Sequence, residues 1–183
     1  MNNYYWLITI LFCLACGDNY TPKPWGYSKI DLPQKTTTLF ESDCPFQFQQ
    51  ADYTEIHFNF ENECWFNLEF KPFRGNVHMS YKSLDNDLNQ YTEDSRDLAY
   101  KHAQVAEAIS EQLFVKDSLK VYGMVYTFQG NTATPMQFYL TDSSNHFVRG
   151  ALYFNSALND SITPISNFVK DDIYRLIESW EWK

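Results

Sequence analysis

The chain is 183 residues long, 44% hydrophobic and 18% aromatic, with 15 Phe and 13 Tyr; that is enough to fill one core and too apolar for a disordered chain. Its net charge of −9 and pI of about 4.8 exclude nucleic acid as a partner, because an acidic surface repels it, as it repels anionic lipid. Six Gly and no GxGxxG or GxxxxGK(S/T) run speak against a dinucleotide or phosphate loop.

In chain order, Tyr4–Ala15 (YYWLITILFCLA) has the length of a signal-peptide core and is short for a bilayer span. It runs into Cys13-Leu14-Ala15-Cys16-Gly17. Ala15 suits a small-residue cleavage position, and Cys16 would then lead the mature chain. The arrangement resembles a bacterial lipobox, in which such a Cys carries palmitate and related acyl groups. It departs from that pattern in having Cys13 where Leu is usual, and its leading MNNYYW has no Lys or Arg. A plain signal peptide or a short signal anchor is the alternative. The expected organisation is a signal peptide over 1–15, a lipidated N-terminus and tether over 16–36, and one α+β domain over 37–183. Pro22, Pro24 and Pro33 among polar residues make the tether extended. Trp25, Tyr27, Ile30 and Leu32 are apolar for a free linker, so part of it should lie on the domain.

Aromatic and β-branched alternation then predicts strands over Thr37–Glu41, Phe46–Gln50, Tyr53–Phe60, Cys64–Phe70 and Val77–Lys82. A long helix follows over Leu88–Phe114. Leu88, Tyr91, Ser95, Leu98, His102, Val105, Ile109 and Leu113 recur at steps of three and four, which makes one helical face. Asp85–Asp87 offers the N-cap. Three further strands, Leu119–Phe128, Pro135–Thr141 and Phe147–Asn155, are joined by turn-like Gln129-Gly130-Asn131 and Asp142–Asn145 and should form an antiparallel meander. Pro135 implies an edge, a strand start or a bulge. Thr163 and Pro164 open a last helix to Glu181, with Ile165, Phe168, Val169, Ile173, Leu176, Ile177 and Trp180 as its apolar stripe. Strands, helix, strands, helix is an α+β domain, mainly antiparallel sheet flanked by a long central helix and a C-terminal helix.

In the folded part the cysteines are Cys44 and Cys64. Outside the cytoplasm they read as one disulfide closing a loop of roughly 20 residues, worth about 3 kcal/mol by chain entropy; two buried thiols are the alternative. The four histidines, His57, His78, His102 and His146, show no HxxxH, HxH or HExxH spacing, so neither a metal nor another cofactor is expected.

Asp94-Ser95-Arg96-Asp97, followed by His102, is dense in groups capable of chemistry. A nucleophile nevertheless needs its base within hydrogen-bond reach. Ser95 and His102 are two helical turns, about 10 Å, apart. No catalytic residue is assigned. Asp94, Ser95, Arg96, His102 and Arg149 stand as candidate partner- or ligand-binding residues. Arg149, inside the apolar run FVRGALYF, either faces solvent or meets a carboxylate on a covering helix. Trp25, Tyr27, Trp65, Phe66, Phe73, Trp180 and Trp182 form either an aromatic-rich core or a partner-binding patch.

Taken together, several stretches resemble the gliding motility-associated lipoprotein GldD family of Bacteroidota. They are Pro22-Lys23-Pro24, Gly26-Tyr27, Asp31-Leu32-Pro33, Ser42-Asp43-Cys44-Pro45, Cys64-Trp65 and Glu93-Asp94-Ser95-Arg96 with Leu98-Ala99-Tyr100-Lys101-His102. Tyr122-Gly123-Met124, Gln137-Phe138, Leu140-Thr141-Asp142-Ser143, Arg149–Phe154 and Glu181-Trp182-Lys183 continue the series. The resemblance implies a cell-envelope lipoprotein needed for gliding, in a group tied to type IX secretion, with no enzymatic activity or cofactor. Its partners would be other gliding and secretion envelope proteins, and its membrane contact the N-terminal lipid. Gly17 rather than Asp after Cys16 permits delivery to the outer membrane. More weakly, an antiparallel sheet with a C-terminal helix is similar to the PsbP/Mog1-like fold, a likeness that carries no function.

Overall fold

Polar residues alternate with aromatic and β-branched ones along most of the chain, and that period-2 pattern builds strands with one apolar face. The computed structural model describes residues 30–59, 64–102, 105–155 and 162–183, and Pro33–Lys183 make up the folded unit. Its strands are β1 (Thr37–Phe40), β2 (Phe46–Ala51), β3 (Glu55–Phe58), β4 (Phe66–Phe70), β5 (Gly75–Ser83), β6 (Ala108–Lys116), β7 (Val121–Gln129), β8 (Met136–Thr141), β9 (His146–Phe154) and β10 (Glu181–Trp182). Helix α1 spans Leu88–Lys101 and α2 spans Thr163–Glu178. Seven strands form one sheet in the order β3-β4-β5-β9-β8-β7-β6, and β1-β2-β10 form a small second sheet. Every neighbouring pair is antiparallel. The fold is α+β, as expected, and β7-β8-β9 is the expected meander, with Pro135 immediately before a strand start.

The large sheet has two unlike faces. The inner one carries Leu68, Val77, Met79, Phe138, Leu140, Val148 and Leu152, which pack with Val169, Ile173, Leu176 and Ile177 of α2 and with Phe46 and Phe48 of β2. Trp180, fully buried, lies 4.7 Å from the Phe46 ring and 5.1 Å from that of Phe48. At the edge of this layer Cys44 and Cys64 are joined by a disulfide, Cα atoms 5.6 Å apart. Lys35, ahead of β1, pairs with the buried Asp172 carboxylate at 3.0 Å and donates to the Phe168 carbonyl at 2.9 Å. Tyr53 donates its hydroxyl to the same carboxylate. The three side chains satisfy one another in place of water.

Two expectations from periodicity are corrected. The helix expected over Leu88–Phe114 ends at Lys101, and Ala108–Lys116 is strand β6, paired along its whole length with β7. A helix continuing to Phe114 would have buried Val105 and Leu113, but these are 60% and 67% exposed. Ile109, Glu111, Leu113 and Val115 fit the steps of a strand as well as those of a helix, and pairing with β7 decides between the two because tertiary contacts override weak local preference. The last helix ends at Glu178, not Glu181, because Glu181 and Trp182 pair with Gln47 and Phe46 of β2. It also begins at Thr163, one residue early, so Thr163 lies inside the helix rather than capping it. Among the aromatics weighed as a patch, Phe66 and Trp180 are core residues, and Trp65, Phe73 and Trp182 are partly buried. Trp25 and Tyr27 lie outside the described residues, as do Tyr4–Ala15 and Cys16.

Candidate functional site

The outer face of the large sheet is where the candidate residues gather. Helix α1 crosses β8 and β9 there and buries only Ser95 and Ala99. Ala99 packs with Tyr126 and Phe128 of β7 in a small separate cluster. Tyr91 stacks on Phe147 at 5.4 Å, and Phe147 on Tyr139 at 5.4 Å. Small side chains at positions 95 and 99 let the helix lie close over this aromatic layer. Burial raises the Tyr126 phenol to about 12, with Tyr139, Glu111 and Tyr100 adding to the effect.

The five candidate residues separate into three settings. Asp94 and Arg96 are exposed on the helix's solvent side, and the Arg96 guanidinium lies 5.4 Å over the Tyr100 ring. Ser95 is buried between helix and sheet. His102 closes the helix, half-buried with its ring edge-on to Phe128 at 5.9 Å. Arg149, on β9, belongs to the same neighbourhood as His102: burial, and after it the Arg149 charge, hold the imidazole below the ordinary histidine range. The Arg149 charge is felt at His102, whereas Asp94 and Arg96 face solvent.

Arg149 lies on the polar outer face of the sheet, opposite Ser80. It is half-buried, and no carboxylate among the described residues pairs with it. Instead its Nη2 donates to Gln137 Oε1 across the β8–β9 ladder at 2.7 Å. Burial pushes its guanidinium below its ordinary range. Gln137 is itself buried, and its Nε2 has no acceptor among the described residues.

Beyond Arg149 the outer face is not covered by α1, and here lie residues that sequence reasoning left out. Arg149 stands opposite Ser80 of β5, and Ala151 opposite His78, which in turn stands opposite Asn67 of β4. His78 Nδ1 is 2.6 Å from Asn67 Oδ1. Farther toward the edge His57 Nε2 meets Glu69 at 3.2 Å, and Lys71 pairs with Glu55. The signal available was the alternation itself: Asn67, Glu69, His78 and Ser80 are the polar members of apolar strands, and register alone makes them neighbours. Among the described residues no three of the His, Cys, Asp and Glu side chains cluster as metal ligands would. No helix among them is long and apolar enough to cross a membrane.

An antiparallel α+β domain tied by a disulfide belongs with proteins of oxidising compartments, where such bonds persist. More narrowly, the sequence model of the gliding motility lipoprotein GldD family matches residues 17–182, and the chain belongs to that family. It is a gliding-motility lipoprotein of the cell envelope. No curated protein sequence matches the chain.

Proposed function

We propose that this chain is a non-catalytic component of the gliding and type IX secretion machinery, acting through contacts with other envelope proteins. In this reading residues 1–15 are removed as a signal peptide, Cys16 bears palmitate and related acyl chains, and residues 16–36 tether the domain over 37–183 to the outer membrane. Several acyl chains on one Cys give durable attachment without a spanning helix. Membership of the GldD family over 17–182 supports the machinery, and the Cys44–Cys64 disulfide supports a domain outside the cytoplasm.

The observation that carries the non-catalytic part is the separation of Ser95 from the imidazole of His102. Ser95 is sealed against the sheet, and His102 follows two turns on, about 10 Å along the axis. A serine nucleophile needs that base at hydrogen-bond distance and an oxyanion site beside it. The acidic surface suits partners with basic patches, whose attraction would weaken with added salt.

The test is deletion of the gene in the native host, scored by surface spreading and by secretion of cargo, with complementation at matched protein levels. Wild type and a Ser95/Arg96/His102 triple-alanine variant should restore both activities, and Cys16→Ala should restore neither. Metabolic labelling with a palmitate analogue should mark wild type and not Cys16→Ala. A folded triple variant that fails would return chemistry to this site, and label on Cys16→Ala would remove the anchor.

A further inference from the structure

The part of the outer face beyond α1 holds a cleft of about 470 Å³ in which Asn59, Trp65, Asn67, His78, Ser80 and Arg149 converge. That volume lies within the range of small-molecule sites, roughly 300–1,000 Å³. Its wall is fixed in advance: the Trp65 indole donates to the Tyr81 carbonyl at 2.7 Å, and Lys82 Nζ sits 5.0 Å over the ring. Its charge is lopsided. Arg149 spends one donor on Gln137, and its remaining N–H groups meet no acceptor among the described residues. None of the described lining residues is acidic, in a protein whose net charge is −9. A half-buried guanidinium is costly to desolvate, and no described residue supplies its counter-ion. Arg149 is the one cation among the described lining residues, and Lys82 over the Trp65 ring adds a second positive charge at the wall, so the cleft matches an anionic group.

We propose that this cleft binds a carboxylate-bearing ligand, its planar carboxylate on the Arg149 guanidinium and an apolar body against Trp65. The fork of N–H groups on an arginine fits two carboxylate oxygens side by side. Asn67, His78 and Ser80 supply the polar contacts around it. This site goes beyond the anchoring role and does not depend on it.

The experiment titrates the full chain in detergent micelles with 3-phenylpropionate, its amide, phenyl phosphate, N-acetylphenylalanine and N-acetylphenylalanine amide. Calorimetry gives affinity, and the Trp65 indole N–H signal, assigned by its loss in Trp65→Phe, reports the place of binding. The acids should shift that signal saturably and bind at least about tenfold tighter than their amides, a charge-assisted pair being worth that much. Arg149→Gln should lose the preference for acid over amide. Ser80→Phe, which fills the cleft and leaves Arg149 in place, should abolish binding even if Arg149→Gln fails to fold. Tighter binding of N-acetylphenylalanine would identify a peptide chain end as the natural source, and tighter binding of 3-phenylpropionate a free small acid. Equal affinity for acids and amides, a preference for phenyl phosphate, binding unchanged in Ser80→Phe, or no binding of either acid would each overturn the proposal.

Discussion

The two helices meet the same sheet on opposite faces and do so in opposite ways. Helix α2 presents Val169, Ile173, Leu176 and Ile177, and Trp180 follows its end, all buried, against an apolar face. Helix α1 buries one Ser and one Ala, and its Leu98 and Tyr100 are more than a third exposed. The inner face thus holds the domain together. The outer face has a thin cover over half its width and polar side chains over the rest. Stability and recognition are therefore divided between two sides of one sheet, and a substitution on one side should leave the other largely intact.

The strongest challenge to that division is Trp180→Ala. Emptying a fully buried indole packed on Phe46 and Phe48 should cost about 3–5 kcal/mol, read as a large drop in the urea midpoint. A small loss would mean that the inner face is not the dominant core. Next comes the Cys44→Ser/Cys64→Ser pair. Opening a loop with a sequence separation of 20 should cost about 3 kcal/mol, and wild type measured under reducing conditions should lose the same amount.

On the outer face the effects shrink. Ala99→Leu adds volume where the helix sits closest to Tyr126 and Phe128, and overpacking there should cost about 1–3 kcal/mol. Leu98→Ala, one residue away on the exposed side, should stay within about 0.5 kcal/mol. Comparable losses from the two would show that α1 is rotated from the orientation described.

The smallest effect is one of pH. His102 is held below its ordinary value of 6.5 by burial and then by Arg149, so between the two values the unfolded chain binds more protons than the folded one. Stability is then full above about pH 6.5 and falls as the pH drops toward the folded value, below which the loss is constant. In His102→Gln the difference in urea midpoint between about pH 7.5 and pH 5 should narrow. An unchanged difference would place the imidazole in water rather than at the Phe128 edge.

Much of the fold was legible because strand patterning is strong in this chain: the runs that became β2, β4, β5, β7, β8 and β9 all alternate. The stretch from Val105 to Leu113 was not legible, since Val105, Ile109 and Leu113 satisfy a helical step while Ile109, Glu111, Leu113 and Val115 satisfy a strand step. The candidate site was legible only as a set of residue types. Arg149 stood out as a cation in an apolar run, but its partner proved to be Gln137, a neutral neighbour on the adjoining strand. For Asn67, His78 and Ser80 the alternation signalled only an outward face, since a polar residue on a strand normally means no more than solvent.

The sequence by itself determined the α+β class, the core-facing residues of most strands, the family to which the chain belongs and the single net sign of its surface. Those properties follow from composition, short-range periodicity and motif order, all of which are local. Only the tertiary structure decided that α1 stops at Lys101, that Glu181 and Trp182 leave the helix to pair with β2, and that Arg149 stands opposite Ser80 and bonds Gln137 on one face. Each of these depends on strand register between segments far apart in the chain, and register is set by the packing of the whole sheet.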